Sequence, residues 1–373
     1  MTIHRFAFPT AIHFGPGARK LVGANLKAAG CDRPLIVTDR GLSGLPLLRN
    51  FVSELKDLQT CVFSGLQGNP VASQVMAGAA AYRAHGADAV VGFGGGAALD
   101  VAKAVALMAT HPGEVLEYAW DHPQVRPIEN PLPHFVALPT TAGTGSEVGR
   151  SSVVSEDDTH VKRIIFSPAI LAKAVFADPE LTLGLPPAIT AATGMDALTH
   201  NVESYLSPAY HPLCDGIALE GVRIVARALP LVWKNATDLQ ARSDMLMGSM
   251  MGAIAFQKDL GAVHSCAHAL STVNDLHHGL ANGVMIDHVM KFNREAALEK
   301  FRELERVIGT ADFVSYLATL KKTIGIPARL SELRVRSEHI PRLVEVAEKD
   351  ICHQTNPRPC TRADFERLFA AAL

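Results

Sequence analysis

The stretch Asp88–Thr110 reads DAVVGFGGGAALDVAKAVALMAT and joins an apolar run to three glycines and a helical pattern. The run has the length and valine content of a buried strand, and the alanine-rich continuation has the length of a helix. Glycines let the backbone approach a ligand closely, and the N–H groups at a helix start favour a bound phosphate. The stretch therefore predicts a strand–glycine–helix unit with a phosphate site. Because the glycines lack the G-x-G-x-x-G spacing, a turn that serves backbone geometry alone also explains them.

Similar units surround this stretch in the first half of the chain. Strand-like runs occur at PLIVTD (34–39), TCVFSGL (60–66) and HFVALP (134–139), and helical patterns separate them. The last run leads into TTAGTGSE, a second loop rich in glycine and hydroxyl groups. Strands that alternate with helices indicate a parallel sheet with helices on both faces, which binds ligands at the carboxyl ends of its strands.

Asp39 ends the first of these runs and is a candidate for nucleotide recognition. A carboxylate in this place can accept hydrogen bonds from the adenosine ribose, and its charge would repel a 2′-phosphate. This interpretation favours NAD over NADP. A helix cap or a turn explains Asp39 equally well on local grounds.

The second half of the chain carries no strand patterns. From about Pro186 onward, long helical patterns rich in Ala, Met and Leu replace the Val- and Gly-rich runs. The change falls in the turn-rich segment DPELTLGLPP at Asp178–Pro187. A chain of 373 residues is long enough for two domains. We therefore predict a dinucleotide-binding α/β domain over residues 1–184 and an all-helical domain over residues 185–373.

Histidines are concentrated in GAVHSCAHALSTVNDLHHG (261–279), which holds four of the sixteen in the chain. His264 and His268 are spaced i, i+4 and so share one face of a helix, as do Asp196 and His200. Most single helical histidines serve packing or the surface, but a carboxylate with two or three imidazoles on facing helices predicts a divalent-metal site. These ligands suit Zn, Fe or Ni better than Mg or Ca. We expect the helix to end or bend at Gly279.

Composition narrows the possible partners and the compartment. A net charge of −2 gives no footprint for nucleic acid, and no window is apolar enough for a membrane span. The first seventeen residues lack the apolar core of a signal peptide. Six cysteines without CxxC pairing are typical of reduced thiols in a cytoplasmic protein. We therefore expect neither nucleic acid nor a membrane as a partner.

Taken together, these motifs resemble those of the iron-containing (group III) alcohol dehydrogenase family. The matching segments, in the family's order, are FGPG (14–17), VTDRGL, GNP, GGGAALDVAKA, LPTTAGTGSEV, DPELT, TAATGMDALTH and GAVHSCAH…HHG. The resemblance implies a dehydroquinate synthase-like fold: an N-terminal Rossmann-type parallel-sheet domain, a C-terminal helical domain and an active site in the cleft. It also implies NAD and Fe²⁺ as cofactors, with Zn²⁺ as the alternative metal, and a homodimer or larger homo-oligomer.

The resemblance assigns roles position by position. It implies metal ligation by Asp196, His200, His264 and His278, a proton relay at His268 and a substrate-pocket aromatic at Phe256. The cofactor contacts that it implies are Asp39, Asn69, Gly95, Gly96, Ala97, Asp100, Thr140, Thr141, Thr144 and Lys162. The family usually reads GGGS, so Ala97 removes a hydroxyl, and backbone N–H groups would have to suffice. His277 is an alternative to His278, which aligns with the family's His-Gly ligand.

The substrate is the least determined part of the resemblance. DPELTLGLP, DGIALEG and GAIAFQKDLGAVHS look most like the 4-hydroxybutyrate dehydrogenase branch, and a primary alcohol or aldehyde stays open. A carboxylate substrate needs a cation, for which Lys258 and Arg150 are candidates, although solvated surface charges are the more common case. The alternatives on the same fold are a maleylacetate reductase-like enzyme and a dehydroquinate synthase-like enzyme. A non-catalytic NAD or metal sensor is a further alternative.

Overall fold

The computed structural model describes Phe6, Phe8 and residues 10–373. Its contacts divide the chain into two compact units. The sheet unit comprises Phe8 and residues 10–141 and 145–182, and the helical unit comprises Phe6 and residues 142–144 and 183–373. Residues 1–5, 7 and 9, on which the signal-peptide expectation partly depends, lie outside the described part. The domain boundary between residues 184 and 185 stays a proposal.

The sheet unit alternates strands with helices along the chain. Its strands are β1 (Ala11–Phe14), β2 (Pro34–Asp39), β3 (Cys61–Leu66), β4 (Ala89–Gly94), β5 (His134–Pro139), β6 (Ser151–Ser155), β7 (Lys162–Phe166) and β8 (Ala174–Ala177). Its helices are α1 (Val22–Ala28), α2 (Arg40–Ser43), α3 (Pro46–Glu54), α4 (Ala72–His85) and α5 (Gly96–Thr110). The predicted strand–glycine–helix unit is thus β4 followed by α5.

Six of these strands form one parallel sheet in the order β1-β8-β5-β4-β2-β3, while β6 and β7 form a separate antiparallel pair. All six residues of β4 are buried, as expected of a strand covered on both faces. After β2 the chain runs outward to β3 and then returns to place β4 on the other side of β2. The strand order therefore reverses between β2 and β4, where open α/β sheets bind their ligands. The predicted parallel-sheet fold is confirmed.

Nine α-helices make up most of the described part of the helical unit. They are α6 (Pro187–Leu206), α7 (Pro212–Lys234), α8 (Leu239–Ala255), α9 (Ala262–Asn274), α10 (His278–Asn293), α11 (Leu298–Ile308), α12 (Phe313–Thr323), α13 (Ile340–Lys349) and α14 (Arg362–Ala372). Proline occupies the first position of both α6 and α7, where its missing N–H costs no hydrogen bond. Buried residues cover the whole circumference of α6 from Thr190 to Leu206, so this helix forms the centre of the unit.

The expected helix end at Gly279 is wrong. Helix α9 ends at Asn274, the next residue, Asp275, has a left-handed backbone with φ 52°, and α10 begins at His278. Gly279 therefore lies in the first turn of a new helix. A Cβ on this glycine would come within 2.3 Å of the backbone oxygen of Ala192, so glycine here permits close packing of α10 on α6. The sequence pattern singled out Gly279 but did not predict the close helix packing that requires a glycine there.

Two observations bear on the predicted compartment. Within the described residues, no helix combines the length and the apolar content that a membrane crossing requires. All six cysteines are free thiols, three of them buried and three partly exposed.

Candidate metal centre and cofactor loops

Three helices of the helical unit bring one carboxylate and three imidazoles together. Asp196 and His200 come from α6, His264 from α9 and His278 from α10, and their ligand atoms all lie within 4.8 Å of one another. The Oδ1 atom of Asp196 lies 3.9 Å from the Nε2 atoms of His200 and His264 and 3.5 Å from that of His278. The structure thus groups the four residues that the resemblance implied as metal ligands.

The donor set and its spacing fit a divalent transition metal. Ligand atoms bonded at about 2.1 Å to a tetrahedral ion lie about 3.4 Å apart, close to the separations in this cluster. Asp196, His200 and His264 are buried, and His278 is partly exposed. One carboxylate with three imidazoles offers nitrogen and oxygen ligands of the kind that Fe and Zn accept. The cluster would leave such an ion with only one negative ligand, and therefore Lewis-acidic.

Asn282 links three of the four members of the cluster. Its Nδ2 atom lies 2.8 Å from Asp196 Oδ1, 3.3 Å from His264 Nε2 and 3.2 Å from His278 Nε2. An amide has only two N–H groups, so it cannot donate to all three acceptors at once. Lone pairs from the three side chains therefore converge on a common point, as metal ligands require. Asn282 was not predicted from the sequence, although it lies one helical turn after His278.

Glu203 orients His264 and is a second residue of the site that was not predicted from the sequence. The Nδ1 atom of His264 donates to Glu203 Oε2 at 2.6 Å, and the backbone N–H of Val263 donates to Oε1 at 2.7 Å. With Nδ1 protonated, the lone pair of His264 is on Nε2, the atom that faces the cluster. The available signal was the spacing of Asp196, His200 and Glu203, which is i, i+4, i+7 on one face of α6.

His200 is held in the neutral form that a metal ligand requires. Burial lowers the pKa of His200 to about 4, and the nearby carboxylate of Asp196 only partly offsets this effect. Its ring stacks on His264 at 4.6 Å between centroids. The ring of Phe256 meets His200 edge-on at 5.4 Å, so the predicted pocket aromatic lies beside the cluster.

The two remaining histidines of the 261–279 stretch lie outside the cluster. His268 shares a helix face with His264, but its Nδ1 atom donates to Asp350 Oδ2 at 2.7 Å. Its ring stacks on His278 at 5.2 Å, so it adjoins the cluster without joining it. The Nδ1 atom of His277 accepts from the backbone N–H of Leu280 at 3.4 Å and so caps α10. The geometry therefore favours His278 over His277 as the cluster member.

Glutamine in place of Glu203 should weaken metal binding without unfolding the protein. Glu203→Gln keeps the shape of the side chain but removes the charge that fixes the proton on His264 Nδ1. Loss of such an orienting partner typically lowers metal affinity by about tenfold to a hundredfold. Competition with a chelator, followed by metal analysis of the protein, measures this change. The exposed carboxylate of Glu299 provides the control, since Glu299→Gln should leave metal affinity unchanged. Equal metal affinities in Glu203→Gln and Glu299→Gln would show that Glu203 does not support metal binding.

In the sheet unit, the carboxyl ends of β4 and β5 form a glycine- and threonine-rich loop pair. Gly94 has φ +154°, and a Cβ there would lie 2.6 Å from the Cβ of Ala98, so only glycine allows this turn into α5. The backbone N–H of Thr140 donates to the oxygen of Gly94 at 2.9 Å and ties the two loops together. A Cβ on Gly95 would lie 3.2 Å from the hydroxyl of Thr141, so these two cofactor candidates adjoin.

The start of α5 offers free backbone donors for a phosphate. Gly95 precedes α5 as its N-cap and has no side chain, so no side-chain group caps the helix. The N–H groups of Gly96 and Ala97 lie in the first turn, where a helix leaves its donors unsatisfied. The hydroxyl that Ala97 lacks is therefore not needed for backbone recognition of a phosphate.

Asp39 and Asp100 both have partners within the sheet unit. Asp39 caps α2 by accepting from the backbone N–H of Leu42 at 2.9 Å through Oδ1. Asp100 accepts from the hydroxyl of Ser146 at 2.5 Å and from the backbone N–H of Val153 at 3.1 Å. The helix-cap explanation considered for Asp39 is therefore confirmed. The Oδ2 atom of Asp39 takes no part in the bond to Leu42. The bonds of Asp100 give it a structural role, and its contact with a cofactor stays a prediction.

The remaining cofactor candidates lie in three separate segments. Asn69 is exposed in the loop after β3, and Lys162 begins β7 with partial exposure. Thr144 is partly exposed and lies in the 142–144 segment, which belongs to the helical unit. The structure does not test their contacts with a cofactor, which stay predictions.

The interpretation of Lys258 as a solvated surface charge is wrong. Its side chain is buried, and the ammonium group forms an ion pair with Asp215. A buried lysine requires such a partner, because an unpaired charge in the interior is costly. Arg150 is partly exposed, and its guanidinium carbon lies 5.4 Å from the centre of the Phe166 ring. Of the two cations considered for a carboxylate substrate, Lys258 therefore already has an internal carboxylate partner.

Comparison with known proteins identifies the family. Residues 9–179 match the profile described as iron-containing alcohol dehydrogenase, and residues 190–373 match that of the C-terminal part of the Fe-containing alcohol dehydrogenase family. The chain belongs to the iron-containing alcohol dehydrogenase family. It is 36% identical over 376 residues to the 4-hydroxybutyrate dehydrogenase of Cupriavidus necator, with 98% of both chains covered. The predicted membership is confirmed.

Two solved structures of similar proteins share the fold over the whole chain. A 1,3-propanediol oxidoreductase is 34% identical with a TM-score of 0.95, and the match covers 100% of both chains. The sulfoacetaldehyde reductase of Bifidobacterium kashiwanohense, solved in complex with NAD⁺, is 28% identical with a TM-score of 0.90. That match covers 100% of this chain and 99% of the reductase. The dehydroquinate synthase-like fold class that the resemblance implied is confirmed by these similarities.

Proposed function

We propose that this member of the iron-containing alcohol dehydrogenase family is an NAD-dependent and metal-dependent enzyme. It interconverts a primary alcohol or an ω-hydroxy acid, with 4-hydroxybutyrate as a candidate, and the corresponding aldehyde by hydride transfer. The observation that carries the proposal is the grouping of Asp196, His200, His264 and His278, of which the first three are buried. A carboxylate and three imidazoles, one of them oriented by Glu203, match what a Lewis-acidic ion requires.

The residues of the cluster have separate tasks in this proposal. Asp196, His200, His264 and His278 hold the metal, which supplies Lewis acidity for the substrate oxygen when bound. Phe256, edge-on to His200, provides an apolar surface beside the cluster. His268, stacked on His278, takes or returns the proton of the substrate hydroxyl. Fe²⁺ is the proposed ion, following the family, and Zn²⁺ is the alternative.

The cofactor assignment depends on the loops of the sheet unit. The N-terminus of α5, with Gly95, Gly96 and the neighbouring Thr141, provides backbone donors for the pyrophosphate. Asp39 lies at the end of β2, beside the point where the strand order reverses. Its free oxygen suits a ribose hydroxyl, and its negative charge disfavours the additional phosphate of NADP. The NAD⁺ complex of the sulfoacetaldehyde reductase supports the same choice.

Two substrate classes follow from the relatives. The 4-hydroxybutyrate dehydrogenase suggests an ω-hydroxy acid, and the 1,3-propanediol oxidoreductase suggests an uncharged diol. The ion pair of Lys258 with Asp215 leaves that cation neutralised, which favours the uncharged class. A homodimer or larger homo-oligomer and a cytoplasmic location belong to the proposal by resemblance to the family.

A turnover screen tests the proposal. Fe-loaded and Zn-loaded protein is offered NAD or NADP with primary alcohols, diols and ω-hydroxy acids of two to five carbons, and absorbance of the reduced nicotinamide is followed. We expect NADH formation with at least one of them, and its loss after chelation with recovery on adding metal. Undiminished turnover after chelation would indicate a maleylacetate reductase-like enzyme. Binding of NAD and metal without any turnover would indicate a sensor or a dehydroquinate synthase-like enzyme.

A further inference from the structure

The carboxylate of Asp350 lies directly after α13 and is held by three hydrogen bonds. Its Oδ2 atom accepts from Nδ1 of His268 at 2.7 Å. Its Oδ1 atom accepts from the hydroxyl of Ser265 at 2.7 Å and from the backbone N–H of Cys352 at 2.9 Å. Ser265 in turn accepts from the backbone N–H of His353 at 2.9 Å. Both oxygens of Asp350 are therefore fixed in position by groups from α9 and from the segment that follows α13.

Among the side chains that donate to Asp350, His268 has a second ring nitrogen, Nε2, that can exchange a proton. Its Nε2 atom forms no hydrogen bond with any residue of the part that the structure describes. The side chain retains 22% exposure, so this nitrogen is not sealed in the interior. The ring stacks on His278 at 5.2 Å and lies 6.1 Å from the ring of His264. A basic nitrogen here therefore adjoins the proposed metal centre.

The ionised carboxylate decides which nitrogen of His268 carries the proton. Burial raises the pKa of Asp350, but the charge and hydrogen bond of His268 and the bonds from Cys352 and Ser265 outweigh it. The pKa of Asp350 consequently lies well below its usual range. A carboxylate can only accept, so Nδ1 of His268 must carry a hydrogen. In the neutral ring the lone pair is then on Nε2.

We propose that Asp350 is a positioning residue that keeps His268 in the tautomer whose Nε2 exchanges the proton of the substrate hydroxyl. The proposal rests on the proposed dehydrogenase function. During oxidation the O–H bond of the alcohol breaks and its proton passes to Nε2. The oxidised nicotinamide, when bound, would accept the hydrogen of the broken C–H bond together with its electron pair, and the carbon–oxygen double bond would form. The proton then leaves Nε2 for solvent, and reduction of the aldehyde runs the same steps in reverse.

A purely structural role for Asp350 predicts different behaviour. In that case the carboxylate only ties α9 to the segment after α13, and its loss would lower stability whatever residue stands at position 268. A positioning role makes the effect of Asp350 depend on His268, because the carboxylate acts through that imidazole. A double-mutant cycle separates the two roles.

The cycle compares Asp350→Asn, His268→Gln and the double variant in the metal-loaded enzyme. We expect Asp350→Asn to lower kcat by about tenfold or more, since proton transfer by a positioned side chain contributes about a hundredfold or more. KM and metal content should stay near the wild-type values. In the His268→Gln background the same change should alter kcat by less than about twofold, because the group it positions is gone. Equal losses of kcat in both backgrounds would overturn the proposal.

Asp364→Asn is the matched control. Asp364 is a buried carboxylate of the same C-terminal segment. It completes the capping box of α14 by accepting from the backbone N–H of Thr361, the N-cap residue. Its replacement should lower the melting temperature and leave kcat unchanged. Should Asp350→Asn fail to fold, Ser265→Ala removes one donor from the carboxylate of Asp350. It is expected to cause a smaller fall in kcat that also disappears in the His268→Gln background, and persistence of that fall would overturn the proposal.

A measurement independent of turnover keeps this proposal separate from the proposed function. Nitrogen NMR of histidine-labelled, Zn-loaded protein reports which ring nitrogen of His268 is protonated, with His268→Gln identifying the signal. We expect the Nδ1–H form in the wild type and in Asp364→Asn, and a shift toward Nε2–H in Asp350→Asn. The Nδ1–H form in a wild type without dehydrogenase activity would refute the function but not the role of Asp350. An Nε2–H form in the active wild type would refute only the role of Asp350.

Discussion

Alanine in place of His264 is expected to abolish alcohol oxidation while leaving NAD affinity nearly intact. His264 is buried, and its Nε2 atom lies 3.9 Å from Asp196 Oδ1 in the proposed metal centre. Metal-ion catalysis contributes several kcal/mol of transition-state stabilisation, which corresponds to about a thousandfold in kcat. The residues proposed for the cofactor pyrophosphate, Gly95, Gly96 and Thr141, belong to the sheet unit. The variant should therefore bind NAD normally and contain less metal.

His277→Ala supplies the control for this result. His277 lies in the same histidine-rich stretch, but its ring nitrogen caps α10 instead of joining the cluster. Steady-state kinetics, metal analysis and NAD titration are compared for both variants. His277→Ala should retain its metal and most of its activity. Loss of dinucleotide binding in His264→Ala, or full turnover by it, would contradict the assigned role.

Alanine in place of Gly279 is expected to damage both stability and the metal centre. The added Cβ would lie 2.3 Å from the backbone oxygen of Ala192 and 3.1 Å from the Cβ of Asp196. Backbone atoms cannot rotate away as a flexible side chain can, so α10 must shift from α6. Such overpacking typically costs about 1–3 kcal/mol. Because His278 is the neighbouring residue, the shift should also move it from Asp196 and weaken metal binding.

Gly216→Ala is the matched helical substitution. Gly216 lies in α7, and nothing lies within 4 Å of a Cβ added there. Alanine in an exposed helix is preferred over glycine by about 1 kcal/mol, so this variant should be as stable as the wild type or slightly more stable. Denaturant unfolding and chelator competition measure both effects. Normal stability and metal affinity in Gly279→Ala would show that α10 does not depend on this close contact.

Much of the fold follows from local patterns in the chain. Each buried parallel strand reads as a short run of apolar residues, and glycines mark the turn from β4 into α5, where Gly94 has φ +154°. The i, i+4 pairs Asp196/His200 and His264/His268 could be predicted for the same reason, because helical spacing places such residues on one face. Patterns of this kind depend on neighbours in sequence, so they need no knowledge of the tertiary structure.

By itself, the sequence determined the alternation of strands and helices, the glycine-rich phosphate loop and the family to which the chain belongs. Only the tertiary structure decided that His278 joins the cluster while His277 caps a helix, since adjacent residues point in different directions at a helix start. It also decided the partners of the histidines: Glu203 lies 61 residues from His264, and Asp350 lies 82 residues from His268. The burial of Lys258 and its ion pair with Asp215 could not be predicted from the sequence for the same reason. Contacts between distant segments depend on how the helices pack. The spacing of residues along the chain does not predict this packing.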